Sequence, residues 1–310
     1  MSAVQVADGV WRIPTAPADF INSYLLEGDD GTLTLVDAGT RSAPKTILAA
    51  LAQLGKAPGD VTHLLLSHAH NDHTGGARAV VDATGAQVQT HEREAVYVRE
   101  GRMPQVDTST RGGRLMSRLP GSVKGFAKVG VDGTFEDGDV LPLAGGISVV
   151  HTPGHTPGHL CFAEEQTRLF FSGDHVLPRI SPNISTSAGG LTDPLRDYLD
   201  SLAAVRDLDP AEVLPAHEWR FRGLDARVDA LTAHHEQRLT ELLTAVGAHP
   251  HCTPWELAAF LTWSRPWSSY ERRMRIFAVT ETDAHLRLLA SRGLVVPSDT
   301  PVRTWTAAAR

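Results

Sequence analysis

The sequence has only two cysteines, Cys161 and Cys252, in 310 residues. They lie far apart along the chain, in segments that we expect to belong to different domains, so no disulfide is expected between them. So few cysteines are typical of a protein in a reducing compartment, and a cytoplasmic location is expected. The N-terminus also lacks a basic segment followed by an apolar one, and we therefore expect no signal peptide.

Long apolar runs and an excess of positive charge are also missing. The longest apolar runs have the length of a strand, far short of the roughly 20 residues that span a bilayer, so no membrane association is expected. The net charge is −7, from 29 basic and 36 acidic residues. This balance argues against a dedicated nucleic-acid-binding protein, although it leaves room for a local basic face. A length of 310 residues, 42% of them hydrophobic, predicts a globular chain of two domains.

Potential metal ligands are concentrated in one stretch, Leu64–Gly76, where three leucines run directly into His68, His70, Asp72 and His73. The leucines predict a buried strand, and the two glycines that end the stretch predict a turn into a helix. His68 and His70 project to the same side of an extended backbone, because they are two residues apart. Asp72 and His73 follow the start of the turn and can point elsewhere. This divergence favours two adjacent metal ions.

Strand and helix patterns alternate along the chain, which is typical of an α/β fold. Strands are predicted over 9–14, 22–27, 32–39, 61–67, 86–90, 134–143, 146–151, 160–163, 168–172 and 212–217, and helices over 44–54, 76–84 and 195–208. Residues 101–133 interrupt the pattern, and we interpret them as a lid-like insertion or, alternatively, a plain surface excursion.

After Arg222 the pattern becomes mainly helical. Helices are predicted over 224–246, from Thr253 as N-cap with Pro254 at the first helical position, and over 273–292; two short strands follow at 294–297 and 302–305. This is the order of a winged-helix module. We therefore predict a first domain over 1–222 and a winged-helix-like domain over 223–310, which could form a homodimer or cover the mouth of a site.

Three further candidate ligands each follow an apolar strand pattern. They are His155, Asp174 and His217. Loops at the carboxyl ends of strands build the sites of α/β sheets, so these side chains and the four in the first stretch are expected to converge. Seven ligands are too many for one ion but suit two, provided that one carboxylate is shared. Imidazole and carboxylate ligands without thiolate suit Zn²⁺, and also iron or manganese.

These motifs in this order resemble the metallo-β-lactamase fold superfamily: His-x-His-x-Asp-His, then Thr-Pro-Gly-His, then Gly-Asp, then Pro-Ala-His. The resemblance implies a four-layered αββα sandwich with a dinuclear site. It implies that one ion is held by His68, His70 and His155, that a second is held by Asp72, His73 and His217, and that Asp174 bridges them. It also implies a supporting role for His159 and for Asp37, which could instead cap a turn. Three weaker candidates for substrate contact or support of the site are His175, Arg179 and Asn183.

The resemblance implies a metal-dependent hydrolase, in which a water shared by two ions loses its proton and attacks a carbonyl. Asp72 would also transfer the proton. Because true metallo-β-lactamases generally lack an aspartate at the position of Asp174, we expect a small-molecule ester, thioester or lactone as substrate. The C-terminal segment resembles that of lactamase-B2-like proteins, some of which cleave RNA. The alternative is therefore an endoribonuclease acting on single-stranded RNA. The arginine cluster Arg272-Arg273-Met274-Arg275 would favour it, unless the cluster is simply a solvated helix face, and the overall acidity disfavours it.

Overall fold

The computed structural model describes residues 2–104, 125–186, 189–298 and 302–309. A first sheet contains strands in the order of the chain, β1 to β7, antiparallel from β1 to β4 and parallel from β4 to β7. The parallel strands end at a common edge of the sheet. Their bounds are Val4–Ala7, Val10–Pro14, Asn22–Glu27, Leu33–Val36, Val61–Leu65, Gln87–His91 and Gly133–Phe135.

A second sheet is ordered β12-β11-β10-β9-β8. β11 and β12 pair in parallel, with Phe171 opposite Leu214, whereas β10 lies between β9 and β11 and is antiparallel to both. β9, β11 and β12 therefore run in the same direction and end at one edge. The bounds are Val140–Leu141 for β8, Ile147–His151 for β9, Leu160–Glu164 for β10, Leu169–Gly173 for β11 and Glu212–Pro215 for β12.

The two sheets pack face to face and helices cover their outer faces. Leu26 and Leu65 of the first sheet share a buried cluster with Phe162 and Phe171 of the second. Each such side chain contributes about 1.5–3 kcal/mol through its burial. The described helices of the first domain are α1 (Ala43–Gln53), α2 (Asn71–Thr74), α3 (Ala77–Thr84), α4 (Glu92–Glu100) and α5 (Pro194–Val205).

Residues of α1, α3 and α4 pack on the outer face of the first sheet. Residues of α5 pack on the second sheet, in a cluster that includes Cys161 and Phe170. The predicted αββα sandwich is therefore confirmed. No described helix is both long and apolar enough to cross a membrane.

Three helices and a two-stranded antiparallel sheet follow in the predicted order. They are α6 (Leu224–Ala248), α7 (Pro254–Ala258), α8 (Arg272–Ser291), β13 (Val295–Ser298) and β14 (Thr304–Ala307). Their buried residues share one continuous cluster with α5 and the second sheet. The C-terminal helices thus extend the outer layer of the sandwich; the domain boundary at 222–223 and the winged-helix assignment remain predictions.

The structure corrects two expectations about secondary structure. Residues 134–143, predicted as one strand, form β7 and β8, which belong to different sheets. Asp137 and Gly138 separate them, and a local sequence pattern cannot assign a strand to a sheet. Residues 92–100, for which no helix was predicted, form α4, whose N-cap His91 accepts the Arg93 N–H. Most of the 101–133 insertion (105–124) lies outside the described residues.

Candidate metal centre

The candidate ligands come from four loops at the carboxyl ends of strands. The loop after β5 carries His68 and His70 and leads into the single turn of α2, which carries Asp72 and His73. The loops after β9, β11 and β12 carry His155, Asp174 and His217 respectively. The structure thus brings all seven predicted side chains together, in two groups whose ligand atoms each lie within 4.8 Å of one another.

The first group is made of three imidazoles and a carboxylate. The Nδ1 atom of His70 lies 2.9 Å from Nε2 of His68 and 3.0 Å from Nε2 of His155. Oδ2 of Asp174 lies 3.4 Å from Nε2 of His155 and 4.0 Å from Nε2 of His68. Three ring nitrogens therefore converge on one point, beside an acceptor-only carboxylate.

The second group contains Asp72, His73 and His217, and the other oxygen of Asp174 faces it. Oδ1 of Asp174 lies 3.4 Å from Nε2 of His73 and 3.2 Å from Nε2 of His217. Oδ2 of Asp72 lies 3.5 Å from Nε2 of His217. Asp174 consequently presents one oxygen to each group, as expected for a shared ligand.

Hydrogen bonds set the tautomers of three histidines. Nδ1 of His155 donates to the carbonyl of Asn183 at 3.0 Å, and Nδ1 of His217 donates to the carbonyl of Phe20, also at 3.0 Å. Nδ1 of His73 donates to Oδ2 of Asp37 at 2.8 Å. Because each Nδ1 carries the donated proton, Nε2 of the neutral ring presents a lone pair to the centre.

The electrostatics divide the histidines into two classes. Burial lowers the pKa of His70 to about 3 and that of His68 well below its usual range, so both rings are neutral, the state in which imidazole binds metals. Burial acts the same way on His73 and His217, but neighbouring carboxylates, Asp174 first, outweigh it and raise the pKa of both. Although burial opposes it, the pKa of Asp174 is held well below its usual range by His217 and His73.

Two buried polar atoms at the centre lack a hydrogen-bond partner among the described residues: Nε2 of His73 and Oδ1 of Asp174. Buried polar groups are normally satisfied, so such atoms call for an explanation. A divalent cation on each group would satisfy both atoms, and the donor set of nitrogen and carboxylate oxygen suits such ions. The residues present therefore fit the metals that the sequence predicted.

The predicted supporting residues occupy distinct positions. Asp37 accepts from His73 and from the backbone N–H of Ser67, which links the ends of β4 and β5. His175 is fully buried, and the centroid of its ring lies 5.2 Å from that of Tyr198 in α5. Arg179 is exposed and bonds to Glu218 at 2.8 Å. The Asn183 side chain faces α8 and donates to Glu281 at 3.3 Å.

His159 supports the loop of Asp174 and is not itself a candidate ligand. Its Nε2 accepts the backbone N–H of Asp174 at 3.0 Å, and its Nδ1 lies 2.8 Å from Oγ1 of Thr152. Gly173, with φ 51°, passes so close that a Cβ there would lie 2.7 Å from Nε2 of His159. This contact explains why a glycine precedes Asp174.

Glu94 of α4 is a supporting residue that the sequence did not reveal. Its carboxylate accepts the backbone N–H of Ala69 and that of Gly158, both at 2.8 Å. Ala69 lies between two candidate ligands and Gly158 follows a third, so Glu94 ties the first two ligand loops together. Burial raises the pKa of Glu94, and the two N–H groups oppose this shift. The sequence feature that could have revealed the role of Glu94 is an acidic residue on the buried face of a helix.

The loop before β3 is a second supporting element that the sequence did not reveal. Its residue Phe20 contributes a backbone carbonyl to His217, and the side-chain amide of Asn22 donates to the carbonyls of Pro215 and Glu218. A backbone carbonyl has no sequence signature. The last ligand loop is therefore held by the N-terminal part of the chain.

Comparisons with known proteins identify relatives of this chain. A sequence model of the metallo-beta-lactamase superfamily matches residues 16–217. A beta-lactamase-like protein 2 homolog of Caenorhabditis elegans is 24% identical over 88% of this chain and 80% of its own length. An atrochrysone carboxyl ACP thioesterase of Aspergillus fumigatus is 28% identical over 72% of this chain but only 44% of its own length.

A solved structure extends the similarity to the C-terminal helices. The crystal structure of a metallo-beta-lactamase family protein from Thermus thermophilus is 30% identical, with a TM-score of 0.79, and the match covers 98% of this chain and 100% of that one. The match to the superfamily covers well over half of the chain, and the ligand loops described above lie within it or at its end. The chain therefore belongs to the metallo-β-lactamase superfamily of metal-dependent hydrolases.

Proposed function

We propose that this protein is a dinuclear hydrolase that cleaves an ester, thioester or lactone of a small molecule. The observation that carries the proposal is the position of Asp174, whose two oxygens face different ligand groups at 3.2–3.4 Å from the nearest imidazole nitrogen. The first ion would be held by His68, His70 and His155, the second by Asp72, His73 and His217, with Asp174 shared. We propose Zn²⁺, although iron or manganese would also suit these ligands.

When bound, such ions polarise a carbonyl oxygen and lower the pKa of a water molecule. The side chains of the protein supply the rest of the chemistry. Asp72 has a side chain that is 39% exposed, with Oδ1 3.8 Å from Nε2 of His73. It can therefore accept a proton beside the centre and pass it to solvent, which is the role we propose for it.

Apolar side chains beside the ligands support a carbonyl substrate with an apolar part. The Phe20 ring is 47% exposed, and its centroid lies 5.1 Å from that of His217. Trp219 is 50% exposed and lies under the Arg179 guanidinium at 5.4 Å. Exposed apolar side chains beside the ligands offer contact area to the apolar part of a substrate. The charge of Arg179 is paired with Glu218, which leaves this arginine poorly suited to a phosphate backbone.

We expect the substitution Phe20→Ala to raise KM for an ester with a bulky acyl group by about tenfold, because an apolar contact is lost. The kcat value should change little, since the backbone carbonyl that orients His217 is retained. Steady-state kinetics with a bulky ester and with an acetyl ester would measure the changes in KM and kcat separately. Phe260→Ala, which removes a similarly exposed phenylalanine from the C-terminal segment, is the control. Equal effects of the two substitutions would contradict this account of Phe20.

The alternative, an endoribonuclease, draws on the arginines at the start of α8. Two of them lie against aromatic rings: Arg273 over Phe277 at 5.7 Å and Arg275 over Trp267 at 5.4 Å. Packing within the C-terminal segment accounts for these two contacts without an RNA ligand. The thioesterase relative, whose name specifies an acyl carrier protein substrate, supports the carbonyl hydrolase.

A side-by-side assay separates the two candidates. The metal-loaded protein would be given an aryl thioester, a lactone and a single-stranded RNA, with metal-depleted protein as the control. We expect hydrolysis of the thioester or the lactone, loss of that activity on metal removal, and intact RNA. Cleavage of RNA alone would overturn the proposed substrate class.

A further inference from the structure

The C-terminal helices contain a buried polar cluster that the metal centre does not use directly. It is formed by His235 and Arg238 of α6 and by Glu281 and His285 of α8. Nδ1 of His235 lies 3.2 Å from Nε2 of His285, whose Nδ1 donates to the backbone carbonyl of Glu281 at 2.8 Å. Both histidines are fully buried. Such a cluster fixes the position of the Glu281 backbone at the middle of α8.

The side chain of Glu281 leaves this cluster and reaches the loop that follows Asp174. Its Oε2 accepts a hydrogen bond from Nδ2 of Asn183 at 3.3 Å. Close by, the backbone N–H of Thr186 lies 3.5 Å from the carbonyl of Thr280. Residues 183–186 have no helix or strand that would otherwise hold them. Helix α8 therefore anchors this part of the loop.

The same loop residue orients a candidate metal ligand. The backbone carbonyl of Asn183 accepts from Nδ1 of His155 at 3.0 Å, and Nε2 of His155 faces His70 and Asp174. Groups that orient ligand imidazoles in this way govern metal affinity. The Asn183 side chain and carbonyl thus join α8 to the first ligand group through two hydrogen bonds.

We infer that Glu281 is a positioning residue, which acts through Asn183 on His155 and so makes the C-terminal helices part of the first metal-binding group. The inference rests on the proposed function in one respect, that His155 binds a metal. Burial raises the pKa of Glu281 to about 7, and Asn183 and Arg238 oppose this shift. Either protonation state retains an oxygen that accepts from Asn183, as does the side-chain carbonyl of glutamine.

The test is a titration of the metal-depleted full-length protein with Co²⁺, followed by visible absorption. Glu281→Ala should weaken one binding phase, that of the group containing His155, by about tenfold, in the range seen when an outer hydrogen bond to a ligand is lost. Glu281→Gln should restore the wild-type affinity, because it keeps the acceptor. Asn183→Ala should weaken binding to a similar extent, and the double substitution should add little, since both residues act through one link.

A matched control lies two residues away on the same helix. Asp283→Ala removes an ion pair with Arg287 at 3.1 Å but does not touch Asn183, and it should leave Co²⁺ affinity unchanged. Circular dichroism of each metal-depleted variant would verify the fold. Equal Co²⁺ affinity in wild type and folded Glu281→Ala would overturn the positioning role while leaving the hydrolase proposal intact. A wild-type protein that binds no Co²⁺ would instead overturn the proposed function.

Discussion

Replacing Asp174 with alanine is expected to reduce kcat by about 10³-fold or more, because several kcal/mol of metal-dependent stabilisation is lost. The variant removes the only side chain described whose two oxygens face both ligand groups. We therefore expect metal content to fall from close to two ions per chain to one or fewer.

The measurements are elemental analysis of purified protein and steady-state hydrolysis of the ester or thioester found active. Asp82→Ala is the control, since it removes an exposed carboxylate that pairs with Arg78 in α3 and should change neither quantity. Undiminished hydrolysis by Asp174→Ala would show that the assigned bridge is wrong. A wild-type protein that is active with a single ion would rule out the dinuclear proposal.

The second large effect is expected when Glu94 is replaced, because the substitution should lower both the stability of the fold and the metal affinity of the centre. Glu94→Ala leaves the buried N–H groups of Ala69 and Gly158 without their acceptor, and each such loss costs about 1–3 kcal/mol. We therefore expect the free energy of unfolding to fall by roughly 4 kcal/mol. Because the two N–H groups belong to different ligand loops, metal affinity should fall as well.

Urea unfolding of the metal-depleted protein separates the structural effect from that of lost metal. Glu92→Ala, an exposed residue of the same helical turn, should change the free energy of unfolding by less than about 0.5 kcal/mol. The free energy of unfolding of Glu94→Gln should lie between those of Glu94→Ala and Glu92→Ala. The amide retains one acceptor oxygen, but it turns its NH₂ group towards the second backbone N–H. A Glu94→Ala protein as stable as Glu92→Ala would refute the role assigned to this carboxylate.

The sequence was informative where a side chain itself has a chemical signature. His68, His70, Asp72 and His73 were recognisable because ligand-type residues directly follow an apolar strand, and His155, Asp174 and His217 repeat that arrangement. A supporting role for Asp37 was implied by the resemblance to the superfamily, and Asp37 does lie directly after β4 beside His73. The residues that orient the ligands through backbone groups were not recognisable.

Tertiary structure also decided how the segments are distributed between layers. Residues 134–143 read as one strand, but the chain crosses from one sheet to the other within them. Similarly, the sequence pattern could not show that the buried residues of the C-terminal helices share one cluster with α5 and the second sheet. The spacing of apolar residues indicates which face of a helix or strand is buried, but it does not indicate which other element covers that face.

By itself, the sequence determined the alternation of strands and helices, the superfamily and the seven candidate ligand side chains, because these depend on residue type and local spacing. Only the tertiary structure decided that Asp174 turns one oxygen to each group and that Glu94 ties two ligand loops together. It alone also placed Phe20 and Asn183 as carbonyl acceptors for His217 and His155. Those roles depend on contacts between residues distant in the chain, and such contacts exist only once the two sheets have packed.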